Sequence, residues 1–326
     1  MEEHASIVAS RLRVGKMITI NENYRLRKNG ILLNIVSMGI MNLAPLINKF
    51  ALSHIGAIPA ALFNTLFVVL FSYLALRYRG KKVSFKNTNK ILWLIGLFDA
   101  LGVVSLYTSL SLITPVMVGF LGRLYTLFAI ILSLIFLKEK ISKRQAILMG
   151  IAIAGLFMFV YKDLDFSSVL GVITAIVYTF CFAVSNLLAK IATTTEDTHD
   201  IIFSNKLVSL GFILVYSALT GNLVFVNIDL IGMGYVFLAS LFCNFIGLML
   251  FYEGMRHVEF NLVNLIRSVG PILVVVYSWY FFPEPLSVTN VIGAVFLLGA
   301  ILLLTTQSEY HKMTKVEELT TLEETQ

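Results

Sequence analysis

The chain has 326 residues, of which 58% are hydrophobic and only 13% charged, with a net charge of +6 and a mean hydropathy of +0.85. A soluble domain carries about a quarter charged residues, so these figures exclude an ordinary water-soluble globule. The apolar residues gather in runs of about twenty, the length that crosses a hydrocarbon core of roughly 30 Å. The class they define is a polytopic α-helical membrane protein.

In chain order, residues 1–30 form a polar, basic tail without the pattern of a secretory signal peptide. Hydropathy then predicts spans at 31–52, 57–76, 91–110, 115–137 and 146–161, a first group of five within 31–161. A second group within 166–306 has spans at 166–190, 202–220, 232–253, 258–281 and 288–306. Residues 307–326 are polar and carry Glu317, Glu318, Glu323 and Glu324, as a solvated end does. The expected fold is therefore all-α: a bundle of ten transmembrane helices with short connections.

Orientation follows from Lys and Arg. With the N-terminus inside, six fall in the first tail, six in the second loop (Arg77 to Lys90), and four in the fourth loop (Lys138 to Arg144). Lys190, Arg256, Lys312 and Lys315 add four more, against Lys162 alone outside. The positive-inside rule then places both termini in the cytoplasm of a cell (cytoplasmic or inner) membrane. The net charge is a consequence of topology and calls for no nucleic-acid partner.

The chain repeats itself. Residues 98–142 shifted by 145 fall without gaps on 243–287: Gly102 meets Gly247, Tyr107 meets Tyr252, and Ser133 meets Ser278. Phe136, Glu139 and Ser142 meet Phe281, Glu284 and Ser287. An odd number of spans per half sets the halves in opposite orientations, an inverted repeat of the kind that places a transporter's site near the midplane.

Two stretches carry a family resemblance: Phe136-Leu137-Lys138-Glu139-Lys140-Ile141-Ser142, and Gly270-Pro271 through Phe282-Pro283-Glu284-Pro285-Leu286-Ser287. With Pro271, Glu284 and Gly155 at matching spacing, the chain resembles the EamA-type branch of the drug/metabolite transporter superfamily over about residues 31–306. Thr126, Lys138 and Pro283 depart from the pattern. The resemblance implies two EamA-like five-helix repeats and a broad substrate range of amino acids, other metabolites or drugs.

Ser142 with Gln145 suits a capping box opening the fifth span, and Ser287 with Asn290 suits one opening the tenth. Glu139 and Glu284 are then structural ends or gates. Gly150, Gly155, Gly293 and Gly299 read as close helix packing, within the chain or against a second copy of it. Lys49 and Lys190, at opposite span ends, can snorkel to the interface.

Ionisable groups inside a span each cost about 2.5–3.5 kcal/mol on insertion scales, and each needs a reason. Asp99, Arg123 and Arg267 lie eight or nine residues into their spans, roughly 12 Å deep at the helical rise. Asn244 occupies Asp99's place in the repeat, and the arginines are within one residue of equivalence. Two readings stand. In one, Asp99 orients one arginine and the other receives an anionic group of a substrate; in the other, the charges are a structural ion pair and a water-facing arginine. Tyr107 and Tyr252, together with Tyr125, Tyr178 and Trp279, are flat surfaces for a substrate or plain packing. Asn42, Asn64, Asn186 and Asn205 are equally ligands or interhelical hydrogen bonds.

The expected function is secondary-active transport of a small metabolite, an amino acid or another carboxylate-bearing solute, by export or exchange with alternating access. Arg123, Arg267, Asp99, Asn244, Tyr107 and Tyr252 are the candidate substrate contacts, and Asp99 or Glu253 the candidate proton carrier. A passive channel would need polar stripes through the whole bilayer, and an integral-membrane enzyme would need a metal or nucleophile cluster; the sequence has neither pattern. No cofactor, metal or catalytic residue is expected. The partners expected are substrate, lipid and, as a candidate, a second copy of the chain. The orientation is testable: a single cysteine placed by Ser84→Cys should resist membrane-impermeant labelling from outside, and strong labelling there would overturn it.

Overall fold

The computed structural model describes residues 25–80, 90–137, 143–160, 166–221, 229–258, 269–278 and 287–304, with positions 262, 263, 266, 267 and 281 besides. Every regular element among them is helical, as it must be where no water satisfies backbone N–H and C=O groups. The first half supplies α1 (Arg25–Leu52), α2 (Ala57–Tyr78), α3 (Lys90–Leu112), α4 (Pro115–Leu121 and Leu124–Leu137) and α5 (Lys143–Val160). The second supplies α6 (Phe166–Ala192), α7 (Thr198–Leu219), α8 (Leu230–His257), α9 (Gly270–Ser278) and α10 (Val288–Leu304). Among the described residues seven stretches, in α1 to α4 and α6 to α8, are long and apolar enough to cross a membrane; the apolar stretches of α5 and α10 are shorter. Glu139, Ser142, Trp279 and Glu284 lie outside the described residues.

Large apolar side chains such as Ile35, Leu74, Leu101, Phe157, Val215, Val276 and Val295 point outward, which is the arrangement a lipid solvent favours. The core instead lies between the halves. α3 runs along α6 and α7, while α1 packs on α8 and α9. The α3 contacts are very close: a Cβ on Gly96 would come within 2.6 Å of Val208, and one on Gly102 within 2.5 Å of Phe182. Between the end of α1 and the start of α8, His54 Nδ1 meets the Asp229 carboxylate at 2.6 Å. The amide of Ile231, with His54 beside it, holds that carboxyl below its ordinary range.

Four of the helices are not regular throughout. α1 breaks at residues 42–43, two positions before Pro45, whose ring displaces the carbonyl four residues back and leaves one bond of the ladder unmade. The Asn42 amide side chain takes the Met38 carbonyl at 2.7 Å. α4 breaks at Gly122 and Arg123, where the Arg123 amide turns to the Phe120 carbonyl at 2.9 Å. α8 widens into a π-helical stretch over Ala239–Ile246, and α9 is preceded by a turn at Val269. α7 begins four residues before the predicted 202. Asp197 caps it by accepting the His199 amide at 2.9 Å, an N-cap that hydropathy does not register.

α5 and α10 meet at two glycines. A Cβ on Gly155 would lie 2.7 Å from the Leu297 amide nitrogen, and one on Gly293 2.5 Å from that of Phe159. Beside them Asn290 Nδ2 donates to the Phe159 carbonyl at 2.5 Å. The capping box at Ser287 and Asn290 forms: the Ser287 amide reaches Asn290 Oδ1 at 3.0 Å, and the Asn290 amide reaches Ser287 Oγ at 3.2 Å. Gly155 and Gly293 thus serve the fold of a single chain, whereas Gly150 and Gly299 face open space. Gly155→Leu should lower the melting temperature of purified protein by the equivalent of about 1–3 kcal/mol of overpacking. Gly150→Ala should leave it unchanged or raise it slightly, and equal effects at both positions would contradict the contact.

Candidate functional site

Asp99 sits mid-way along α3, only 6% exposed. Its carboxylate accepts two bonds from Lys206 Nζ, at 2.8 and 2.7 Å, and one from Ser209 Oγ at 2.8 Å. The expected partner was an arginine; the partner found is a lysine of α7. The reason is depth. Because α7 starts at Thr198, Lys206 lies eight residues in, roughly 12 Å from the helix end at 1.5 Å per residue, level with Asp99. Gly96, one turn before Asp99, lets α7 approach closely enough for the bond.

With Asp99 committed to Lys206, neither arginine has a carboxylate among the described residues. Arg123, at the break in α4, donates through Nη1 to the backbone carbonyl of Arg267, and its Nε is buried without a partner among the described residues. Arg267 stands with its guanidinium carbon 4.2 Å from the Phe251 ring centroid and donates to the Met41 thioether at 3.6 Å. Ring face and sulfur are weak partners for a charge.

Asp99, Lys206, Arg123, Arg267 and Met41 open on one cavity of about 190 Å³ between the halves. Arg123, Arg267, Asp99, Asn244, Tyr107 and Tyr252 line it, and so do Lys206, Tyr125 and Tyr178. Each irregular helix contributes: Asn42 and Pro45 from the α1 break, Gly122 and Arg123 from the α4 break, Asn244 from the π stretch of α8, and Val274 from α9. Tyr107 Oη bonds Asn48 at 3.1 Å, Tyr178 Oη takes the Val118 carbonyl at 2.8 Å, and Asn244 Nδ2 takes the Ala239 carbonyl at 3.2 Å. Tyr107 and Tyr252 are almost wholly buried, so they form wall more than free surface. Glu253 is elsewhere. It lies half-exposed near the end of α8, bonded to Thr198 at 2.8 Å and paired with Arg256 at 3.3 Å.

Lys49 and Lys190 do not snorkel outward. Lys49 Nζ donates to the carbonyls of Leu110 and Ile113 at 2.7 and 3.0 Å, at the end of α3. Lys190 Nζ donates to those of Met255 and Val258, the latter at 3.0 Å, at the end of α8. A cation over the last carbonyls of a helix neutralises the negative end of its dipole.

Lys206 is the functional residue that sequence reasoning passed over. In a span that begins at 202 it lies only four residues in, because the polar run before residue 202 conceals the start of α7. The N-cap Asp197 was the available signal.

A model of the EamA-like transporter family matches residues 28–161 and again 169–306. An uncharacterized transporter of Archaeoglobus fulgidus is 25% identical over 250 residues, covering 75% of this chain and 86% of its own length. A second uncharacterized transporter of that organism is 24% identical over 211 residues, covering 64% and 74%. A solved crystal structure superposes with a TM-score of 0.65 at 14% identity, covering 85% of this chain and 97% of its own, and shows the same fold.

The ion pair makes a sharp demand on mutants. Asp99→Asn strands a buried ammonium and should destabilise the protein by about 3–5 kcal/mol, as should Lys206→Met from the other side. The double variant Asp99→Asn with Lys206→Met should recover most of the loss in a thermal melt. Simple additivity of the two would deny the pair.

Proposed function

The chain belongs to the EamA-like transporter family, and we propose that it is a secondary-active carrier of small anionic metabolites, carboxylate-bearing solutes such as amino acids among them. The carrier works by alternating access, as exporter or exchanger, around the central cavity. One observation carries the reading: two adjacent arginines open on that cavity with no acidic partner among the described residues. Guanidinium is too costly in hydrocarbon to be left without a purpose, and its planar fork suits a carboxylate or phosphate. The cavity volume of about 190 Å³ lies below the roughly 300–1,000 Å³ of drug-sized pockets, which favours a small solute.

We also propose ten spans in two halves of opposite orientation, with both termini cytoplasmic. The lysine bonds support it. The carbonyls held by Lys49 are residues 110 and 113, and those held by Lys190 are 255 and 258. Each pair is separated by the 145 residues that align the repeat. Any proton carried would pass through Asp99, since Glu253 does not face the cavity.

Uptake and counterflow in proteoliposomes test the proposal. Arg123→Ala and Arg267→Ala should each cut transport at least about tenfold, the worth of one charge-assisted hydrogen bond, while the protein still folds and inserts. Undiminished rates in both variants would remove the arginines from substrate handling.

A further inference from the structure

The charge balance of the cavity goes one step beyond a site for an anionic group. Resting on the carrier reading above, we propose that the substrate presents two negative charges to the arginine pair, as a dicarboxylate or a phosphate monoester does. Among the described residues, four acidic or basic side chains line the cavity: Asp99, Lys206, Arg123 and Arg267. Lys206 and Asp99 cancel each other at 2.7 Å, which leaves two positive charges rather than one. They are not far apart, since the Arg123 guanidinium bonds the backbone carbonyl of Arg267. Like charges held together in a space of low dielectric repel strongly, and nothing acidic among the described residues relieves them. A singly charged ligand would neutralise one guanidinium and leave its neighbour buried and unpaired. A dianion neutralises both.

The donors match that demand. Arg123 keeps Nε without a partner among the described residues, and Arg267 spends itself on a thioether and a ring face. Both are contacts that an oxyanion displaces at little cost. The volume of about 190 Å³ confines the dianion to a compact molecule.

The test compares each dianion with its own singly charged ester. Purified full-length protein is melted with succinate or monomethyl succinate, and with glycerol 3-phosphate or its methyl phosphodiester. At least one dianion should raise the melting temperature at a concentration about tenfold below that needed for its ester. The effective pair distinguishes a carboxylate from a phosphate source. In Arg123→Gln or Arg267→Gln the preference should vanish, dianion and ester then acting alike. If an ester matches its dianion on the unmodified protein, the anion site stands and the two-charge inference falls. If no member of either pair shifts the melt, both readings fall. The comparison on the unmodified chain does not depend on either variant folding.

Discussion

A charged side chain in the middle of a bilayer must have either a partner or a polar space to face, and among the described residues four of them gather around one central cavity. The structure meets the demand once with a partner and once with a space. Asp99 and Lys206 are drawn together across α3 and α7 with Ser209 supplying a third hydrogen bond, and the small Gly96 allows that approach. Arg123 and Arg267 receive the cavity instead. The pair and the cavity are interdependent: had Asp99 bonded an arginine, Lys206 would be a stranded cation, and the same net charge would face the cavity as one ammonium and one guanidinium instead of two guanidinium groups. Which helices touch at the centre of the bundle follows from where these four groups must point.

The irregular backbone serves the same end. A continuous α-helix offers no free amide or carbonyl to its surroundings, so a polar cavity between unbroken helices would be lined by side chains alone. Here Pro45 interrupts α1, the turn at Gly122 and Arg123 interrupts α4, and α8 is widened over Ala239–Ile246. These breaks lie beside the cavity, where exposed backbone polarity is tolerated in a membrane. Carbonyls beside the breaks take side-chain donors: that of Val118 accepts from Tyr178 as well as from the Gly122 amide, and that of Arg267 accepts from Arg123. The Arg123 side chain is thus aimed by a backbone group of the opposite half, which ties the geometry of one arginine to the backbone that carries the other.

Much of this was legible in the residues. Runs of about twenty apolar positions sufficed for the helical class, because length against bilayer thickness is a hard constraint. Depth arithmetic along the spans brought Asp99, Arg123 and Arg267 to one level, the repeat added Asn244, and these four line one cavity together with Tyr107 and Tyr252. What hydropathy could not supply was the true start of α7, since a capped helix can begin in polar sequence. With the span begun at 202, Lys206 lies only four residues in, short of the depth of Asp99, and an arginine remained as the expected partner. The π stretch in α8 has no counterpart in any hydrophobic period. Lys49 and Lys190 misled for another reason: a long side chain reaches inward as easily as outward, and only packing shows that helix ends wait there to accept its protons.

The two halves are alike where they scaffold and unlike where they carry the ion pair. At the offset of 145, Asp99 corresponds to Asn244, Lys206 to Ala61, and Ser209 to Asn64. The second half of each correspondence forms no salt bridge. Asn64 bonds Ser240 at 3.0 Å, and Asn244 bonds the carbonyl of its own π turn. Carboxylate and ammonium are therefore absent together from that side, as energetics requires, since losing one alone would leave the other buried and unpaired at a cost of several kcal/mol. The arginines, by contrast, occur once in each half. On the proposed inverted arrangement they would approach each other across the pseudo-two-fold axis, while the Asp99–Lys206 pair lies to one side of it. A site so built has a symmetric anion-receiving centre and an asymmetric wall. The centre would meet a charged group in the same way from either face of the membrane, and the wall would decide how the rest of the molecule is turned.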